Sequence, residues 1–98
     1  MAMPGGLSKP TCPSAEMKQR LTPTVAAYLK YQLGVEPKHV KIVALSSQIV
    51  NGTVYFLKVQ HDKGVCHMRV HEELPANGGN LVVENYKEAT CSEPLTFF

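Results

Sequence analysis

"SSQIVNGTVYF", residues 46–56, decides how the chain folds back on itself. Asn51 and Gly52 stand between two apolar, β-branched runs, the strongest short-range signal for a tight hairpin. Asn51, Gly52 and Thr53 also spell a sugar-acceptor sequon. Ile49 and Val50 adjoin the bend, where a purely structural hairpin favours polar residues. Two hydrocarbon side chains beside a turn read as groups to be inserted into something.

Working outward, the pattern on both sides is strand-like. Residues 39–50, 53–61 and 65–72 alternate and are rich in β-branched residues. Residues 81–86 add another strand, and a short last one is expected near 95–98. The breaks at 51–52 and 62–64 are too short for parallel pairing, which needs a long crossover. The sheet is therefore an antiparallel meander.

Before it lies a helix over 14–33. Met17, Leu21, Val25, Leu29 and Leu33 recur every four residues, with Ser14 as cap and Gly34 as stop. Pro23 interrupts the pattern. Either the helix kinks there, or it starts with Thr22 as cap and Pro23 in the first turn. The stripe continues through the proline, which favours a kinked helix over 14–33. Residues 1–13 hold three prolines and two glycines and read as a flexible leader outside the core. The sequence thus predicts an α+β fold, one long helix packed across an antiparallel β-meander of four to five strands.

The totals bound what this fold can do. At 98 residues and 44% apolar content the chain has room for one sheet on one helix, a single domain over 1–98. A formal charge of +2, with no run of consecutive Lys or Arg, argues against nucleic acid or a membrane as partner. No apolar signal stretch opens the sequence, and three cysteines, an odd number, suggest no disulfide framework. The expected compartment is the cytoplasm, where the Asn51 sequon would never meet the glycosylation machinery.

In a meander, alternate connections emerge at the same end of the sheet. Residues 49–52 and the pair Leu74, Pro75 should therefore lie side by side, and the leader, with Met3, Pro4 and Leu7 around Gly5 and Gly6, can reach them. Three apolar segments at one edge form a hydrophobic ridge of the kind that small proteins keep for binding.

Gln48, Ile49, Val50, Asn51 and Gly52 resemble the Gln-x-Val-x-Gly loop of the cystatins, inhibitors of papain-like cysteine proteases. "MPGGL" (3–7), "GTVYFLKV" (52–59), "HMRV" (67–70), Leu74 with Pro75, and "LTFF" (95–98) resemble the stefin branch, which lacks signal peptide and disulfides. The resemblance covers essentially the whole chain in order. It implies a wedge that enters the cleft of a cathepsin-type protease. Pro4, Gly5 and Gly6 would lie on the substrate's acyl side; Gln48, Ile49, Val50, Asn51, Gly52, Leu74 and Pro75 would lie on the leaving-group side. Gly5 and Gly52 would permit close backbone approach, and Gln48 would contact the enzyme or hold the loop from behind. The resemblance also implies a monomer able to exchange strands at this hairpin into a swapped dimer, because Ile49 and Val50 suit a bend poorly. Asn51 stands where stefins commonly carry alanine, and the stretch before Leu95 is shortened. The alternative is a non-inhibitory interaction module of the same fold.

Enzyme and metal chemistry find little support. Cys66 and His67 are neighbours, but adjacent strand residues point to opposite faces, with Cys66, Met68 and Val70 toward the core and His67, Arg69 and His71 toward solvent. No Cys-x-x-Cys or His-Glu-x-x-His spacing occurs, and no cofactor is implied.

Overall fold

The Ser14 hydroxyl accepts from the Met17 amide at 3.2 Å and opens a helix, α1 (Ala15–Leu33). Gly34, at φ 79°, closes it by donating to the Lys30 carbonyl at 3.0 Å. In this computed structural model the described residues are 8–50, 52–96 and 98, with backbone alone for Val50. The helix runs through Pro23 as one element, so a start at Thr22 is ruled out. An interior proline costs about 3 kcal/mol through its lost hydrogen bond and ring clash. Pro23 and Gln19, whose carbonyl it would have bonded, lie on the solvent side. Opposite them, Leu21, Val25 and Leu29 are fully buried, each contributing roughly 1.5–3 kcal/mol. That burial offsets the proline.

Four strands follow: β1 (Val40–Val50), β2 (Gly52–His61), β3 (Gly64–Glu72) and β4 (Leu81–Ala89). They pair antiparallel in the order β1-β2-β3-β4. The register carries Val50 opposite Gly52, Thr53 opposite Glu72, and Glu72 opposite Leu81. A bulge between Ile42 and Ala44 exchanges the faces of β1. Ile42 therefore faces the helix while Ala44, Ser46 and Gln48 face away.

The helix side of the sheet is hydrocarbon. Ile42, Tyr55, Leu57, Val59, Cys66, Met68 and Val70 form one cluster with the buried stripe of α1. The other side departs from expectation. No fifth strand occupies 95–98 among the described residues. Leu95 is instead buried with Val54 and Phe56, and the Phe98 ring meets Phe56 edge-on at 5.7 Å. Pro94 has no amide proton to give a sheet ladder, so the segment contributes side chains rather than backbone pairs. Arg69 donates to the Phe98 carbonyl and Lys87 Nζ lies 5.3 Å from its ring centroid, holding the segment down.

His67 is consequently buried, not solvated. Its exposure is 0%, its ring lies 6.4 Å from that of Phe98, and neither ring nitrogen has a hydrogen-bond partner among the described residues. Strand alternation assigns the face correctly but cannot see that a distant segment covers it.

The leader over 1–13 also needs correction within its described part. β1 is an edge strand with unpaired backbone groups, and the leader supplies partners. The Ser8 amide donates to the Ser47 carbonyl at 2.9 Å, and the Ser47 amide to Ser8 Oγ at 2.9 Å. Thr11 and Leu45 exchange two bonds of 3.0 and 2.8 Å, and Pro13 is buried. Residues 1–7 lie outside the described residues.

Candidate functional site

The two connections predicted to share one end of the sheet do so. At Gly52 the backbone turns with φ 96°, a conformation that L side chains rarely adopt. A Cβ there would collide with the Glu72 carbonyl oxygen and sit 3.0 Å from His71 Nε2. Glu72 ends β3 and leads straight into the second connection. The hairpin tip therefore rests on the base of the neighbouring loop. Gly52 is required by the chain's own packing, a role that motif reading had assigned to approach by a partner.

The second connection is wound tightly. Pro75–Asn77 forms a single 3-10 turn in which the Leu74 carbonyl accepts from Asn77 at 2.8 Å and from Gly79 at 3.1 Å. Glu73 closes the loop by donating to the Asn80 carbonyl at 2.9 Å. So bound, the backbone holds Leu74 outward at 41% exposure. On the hairpin beside it Ile49 is 73% exposed. Gly52, Leu74 and Pro75 share one shallow recess between the two tips.

Gln48 is different. At 5% exposure it lies inward, on the face of Val54, its partner across the ladder. Of the two roles open to it, support from behind fits this burial. Pro4, Gly5, Gly6 and Asn51 lie outside the described residues, and nothing is placed for the Val50 side chain. The leader does enter the described region at Ser8 beside Ser47, and Thr11 beside Leu45 sets its direction as antiparallel. From Ser8 to Thr11 the chain thus runs along β1 away from its hairpin end.

Polar groups frame the apolar tips. Tyr55 donates its hydroxyl to Glu72 Oε1 at 2.7 Å, and Arg20 of α1 pairs with Glu72 Oε2. Burial and the neighbouring carboxylate both raise the Tyr55 pKa. Burial works against the Arg20 charge, but Glu72 and Tyr55 together hold its pKa above the ordinary value. On the other face Glu84 takes Arg69 Nε at 3.2 Å and faces His71 Nδ1 at 3.8 Å. Neither Arg20 nor Glu72 stood out in the sequence, where 52 positions separate them.

Catalytic chemistry has no foothold in Cys66 and His67. They face opposite sides of β3, and burial, with Glu88 adding to it, pushes the Cys66 thiol up to about 12. No group of three His, Cys, Asp or Glu that could hold a metal occurs among the described residues.

No protein-family model matches the sequence. Individual proteins do. The chain is 30% identical over 96 residues to Cystatin-A3 of Dictyostelium discoideum, covering 98% of this chain and 100% of that protein. It is 30% identical over 95 residues to human Cystatin-B, covering 95% and 97% of the two chains. Among solved structures, a secreted type 1 cystatin from Fasciola hepatica superposes with a TM-score of 0.80 at 22% identity, over 90% of this chain and 99% of that one. That likeness supports the fold, and the two sequence relatives carry the kinship. With a capped helix on a four-stranded meander and two hairpin ends meeting at Gly52 and Glu72, the chain belongs to the cystatins, in their stefin or type 1 branch.

Proposed function

We propose that this protein is a reversible, tight-binding inhibitor of papain-like cysteine proteases of the cathepsin type, which it blocks with an apolar wedge. One observation carries the reading. Ile49 and Leu74, 73% and 41% exposed, stand at the same end of the sheet on hairpin ends that touch through Gly52 and Glu72. Large side chains left in water at adjoining tips gain roughly 25 cal/mol per Å² when a cleft covers them, before association costs.

The wedge comprises Ile49, Val50, Asn51 and Gly52 on the hairpin and Leu74 and Pro75 on the loop. Pro4, Gly5 and Gly6 form its third part, an assignment that rests on the family resemblance, with Ser8 further along the chain paired beside Ser47. Gln48 props the hairpin from inside. Inhibition without cleavage fits this geometry, because the 73–80 loop is closed by internal hydrogen bonds and Ile49 belongs to a strand already paired within the sheet, so neither offers a free extended peptide. An extended peptide is what near-attack alignment with the nucleophile requires.

The protein acts as a monomer. Opening of the 50–52 bend would let β1 run on into a second molecule, and a dimer so formed would hide the hairpin tip. A dimer produced by heating should therefore lack inhibitory activity. The cytoplasm is the proposed setting, consistent with three free cysteines. Kinship alone does not fix it, since the Fasciola relative is a secreted protein.

Stoichiometric titration of papain tests the proposal. Loss of activity at a ratio near one to one, with the inhibitor recovered uncut, is the expected result. No inhibition at micromolar concentration would leave the chain a non-inhibitory module of the cystatin fold.

A further inference from the structure

The helix-facing column of β3 runs Cys66, Met68, Val70 and then Glu72. The first three are fully buried in the main core, and the fourth is a carboxylate. At the end of the sheet that carries the apolar tips, hydrocarbon packing thus gives way to a charged clamp. Glu72 meets three parts of the molecule there. Its Oε1 accepts from Tyr55 of β2 at 2.7 Å, and its Oε2 pairs with Arg20 of α1. Its carbonyl oxygen occupies the place where a Cβ on residue 52 would fall. Its ladder partners are Thr53, just after the hairpin bend, and Leu81, just after the second loop.

We propose that Glu72 is a positioning residue for both apolar tips: anchored to the helix by Arg20 and to β2 by Tyr55, it fixes the height of the hairpin at Gly52 and of the loop at Leu74 relative to each other. The consequence for protease binding rests on the inhibitory reading above; the positional claim does not. The clamp is ill suited to a mainly stabilising role. The Arg20 side chain is 39% exposed and that of Glu72 26%, and an ion pair with one partner this open to water adds little to global stability. Holding a binding edge within a fraction of an ångström is a different task, in which small displacements of the supporting shell degrade the fit.

Wild type, Glu72→Ala, Glu72→Gln and Arg20→Gln separate the two roles by rapid kinetics with papain, amide NMR of the free chain and urea unfolding. For Glu72→Ala, dissociation from papain should quicken about ten-fold with association nearly unchanged. The amide resonances of Gly52, Leu74 and Gly79 should move while that of Gly64, at the other end of the sheet, stays. Glu72→Gln keeps an acceptor for Tyr55 and should recover most of the loss, which also covers the case that the alanine variant fails to fold. Arg20→Gln should lie between, near a three-fold effect. Wild-type dissociation in Glu72→Ala, or equal resonance changes at both ends, overturns the proposal. If wild type itself does not inhibit papain, the inhibitor reading falls. The resonances then decide the role of Glu72: unmoved at Gly52 and Leu74 they overturn it, moved there alone they uphold it.

Discussion

The two ends of the sheet are built alike and finished differently. At one end the β2–β3 turn closes with Gly64, and Asp62 accepts the Lys38 and His39 amides, both at 2.8 Å. Lys38, His39, Lys41 and Lys63 around it are exposed and polar. At the other end the β1–β2 bend and the 73–80 loop put Ile49 and Leu74 into water. Hairpin architecture does not compel hydrocarbon at a tip, since the β2–β3 turn does without it, although Val35 in the nearby connection from α1 to β1 is 54% exposed. What sets the near end apart is that its exposed side chains, Ile49 and Leu74, sit on two adjoining hairpin ends, the arrangement on which the proposed docking rests.

Paired glycine substitutions break the comparison most sharply. Gly52→Ala places a methyl group against the Glu72 carbonyl at a φ of 96°, so the hairpin must lift off its neighbour. Inhibition of papain should weaken about 100-fold, the scale of losing a central binding group. Gly64→Ala, at φ 140° with nothing within 4 Å, meets strain but no collision. Its cost should be confined to stability, about 1 kcal/mol by urea unfolding, with inhibition unchanged.

Next come the tips themselves. Ile49→Ala removes a side chain that is largely in water, so its unfolding midpoint should barely move; Leu74→Ala, at a position 41% exposed, should show a small loss of about 1 kcal/mol. Each should weaken inhibition about ten-fold, matching the apolar area that a cleft would cover. An equal loss of stability in Ile49→Ala would mean that this side chain serves the fold.

How legible all this was follows from the range of each signal. The helix and the hairpin were plain, because the four-residue stripe from Met17 to Leu33 and the Asn51, Gly52 bend are local patterns. The shared end of 49–52 and Leu74 followed from topology alone. Three features were hidden because they join distant positions. Glu72 finds Arg20 through the fold, Ser8 and Thr11 find the edge of β1 through backbone groups common to all residues, and His67 is covered by Phe98. Alternation gives a side chain's face, but what covers that face is decided elsewhere. Gly52 was legible as a turn glycine, but the motif could not show that the backbone it must approach includes the chain's own Glu72 carbonyl.

The polar end yields a pH prediction. Bonds from the Lys38 and His39 amides hold the Asp62 carboxyl below the usual carboxylate range, against slight desolvation. A depressed carboxylate contributes stability above its unfolded pKa and loses it as pH falls through the folded one. Asp62→Ala should thus lower stability at neutral pH, lose that difference on acidification, and leave inhibition untouched.

A smaller effect lies beneath the Phe98 segment. Burial first, then Lys58, with Glu93 opposing and Lys87 adding, keeps the His67 imidazole below its ordinary 6.5. On acidification the unfolded chain takes up this proton before the folded one. Stability should therefore be complete above about pH 6.5 and fall below it. Replacement of His67 by phenylalanine should flatten this part of the profile, checked by urea unfolding between pH 7 and pH 5.

The most direct measurement is binding to papain whose active-site sulfur carries a small methylthio cap. A plug seated by apolar contact should bind the capped enzyme within about ten-fold of the free one and come away with its chain intact. Binding abolished by the cap, or a chain cut within residues 48–52, would contradict the wedge.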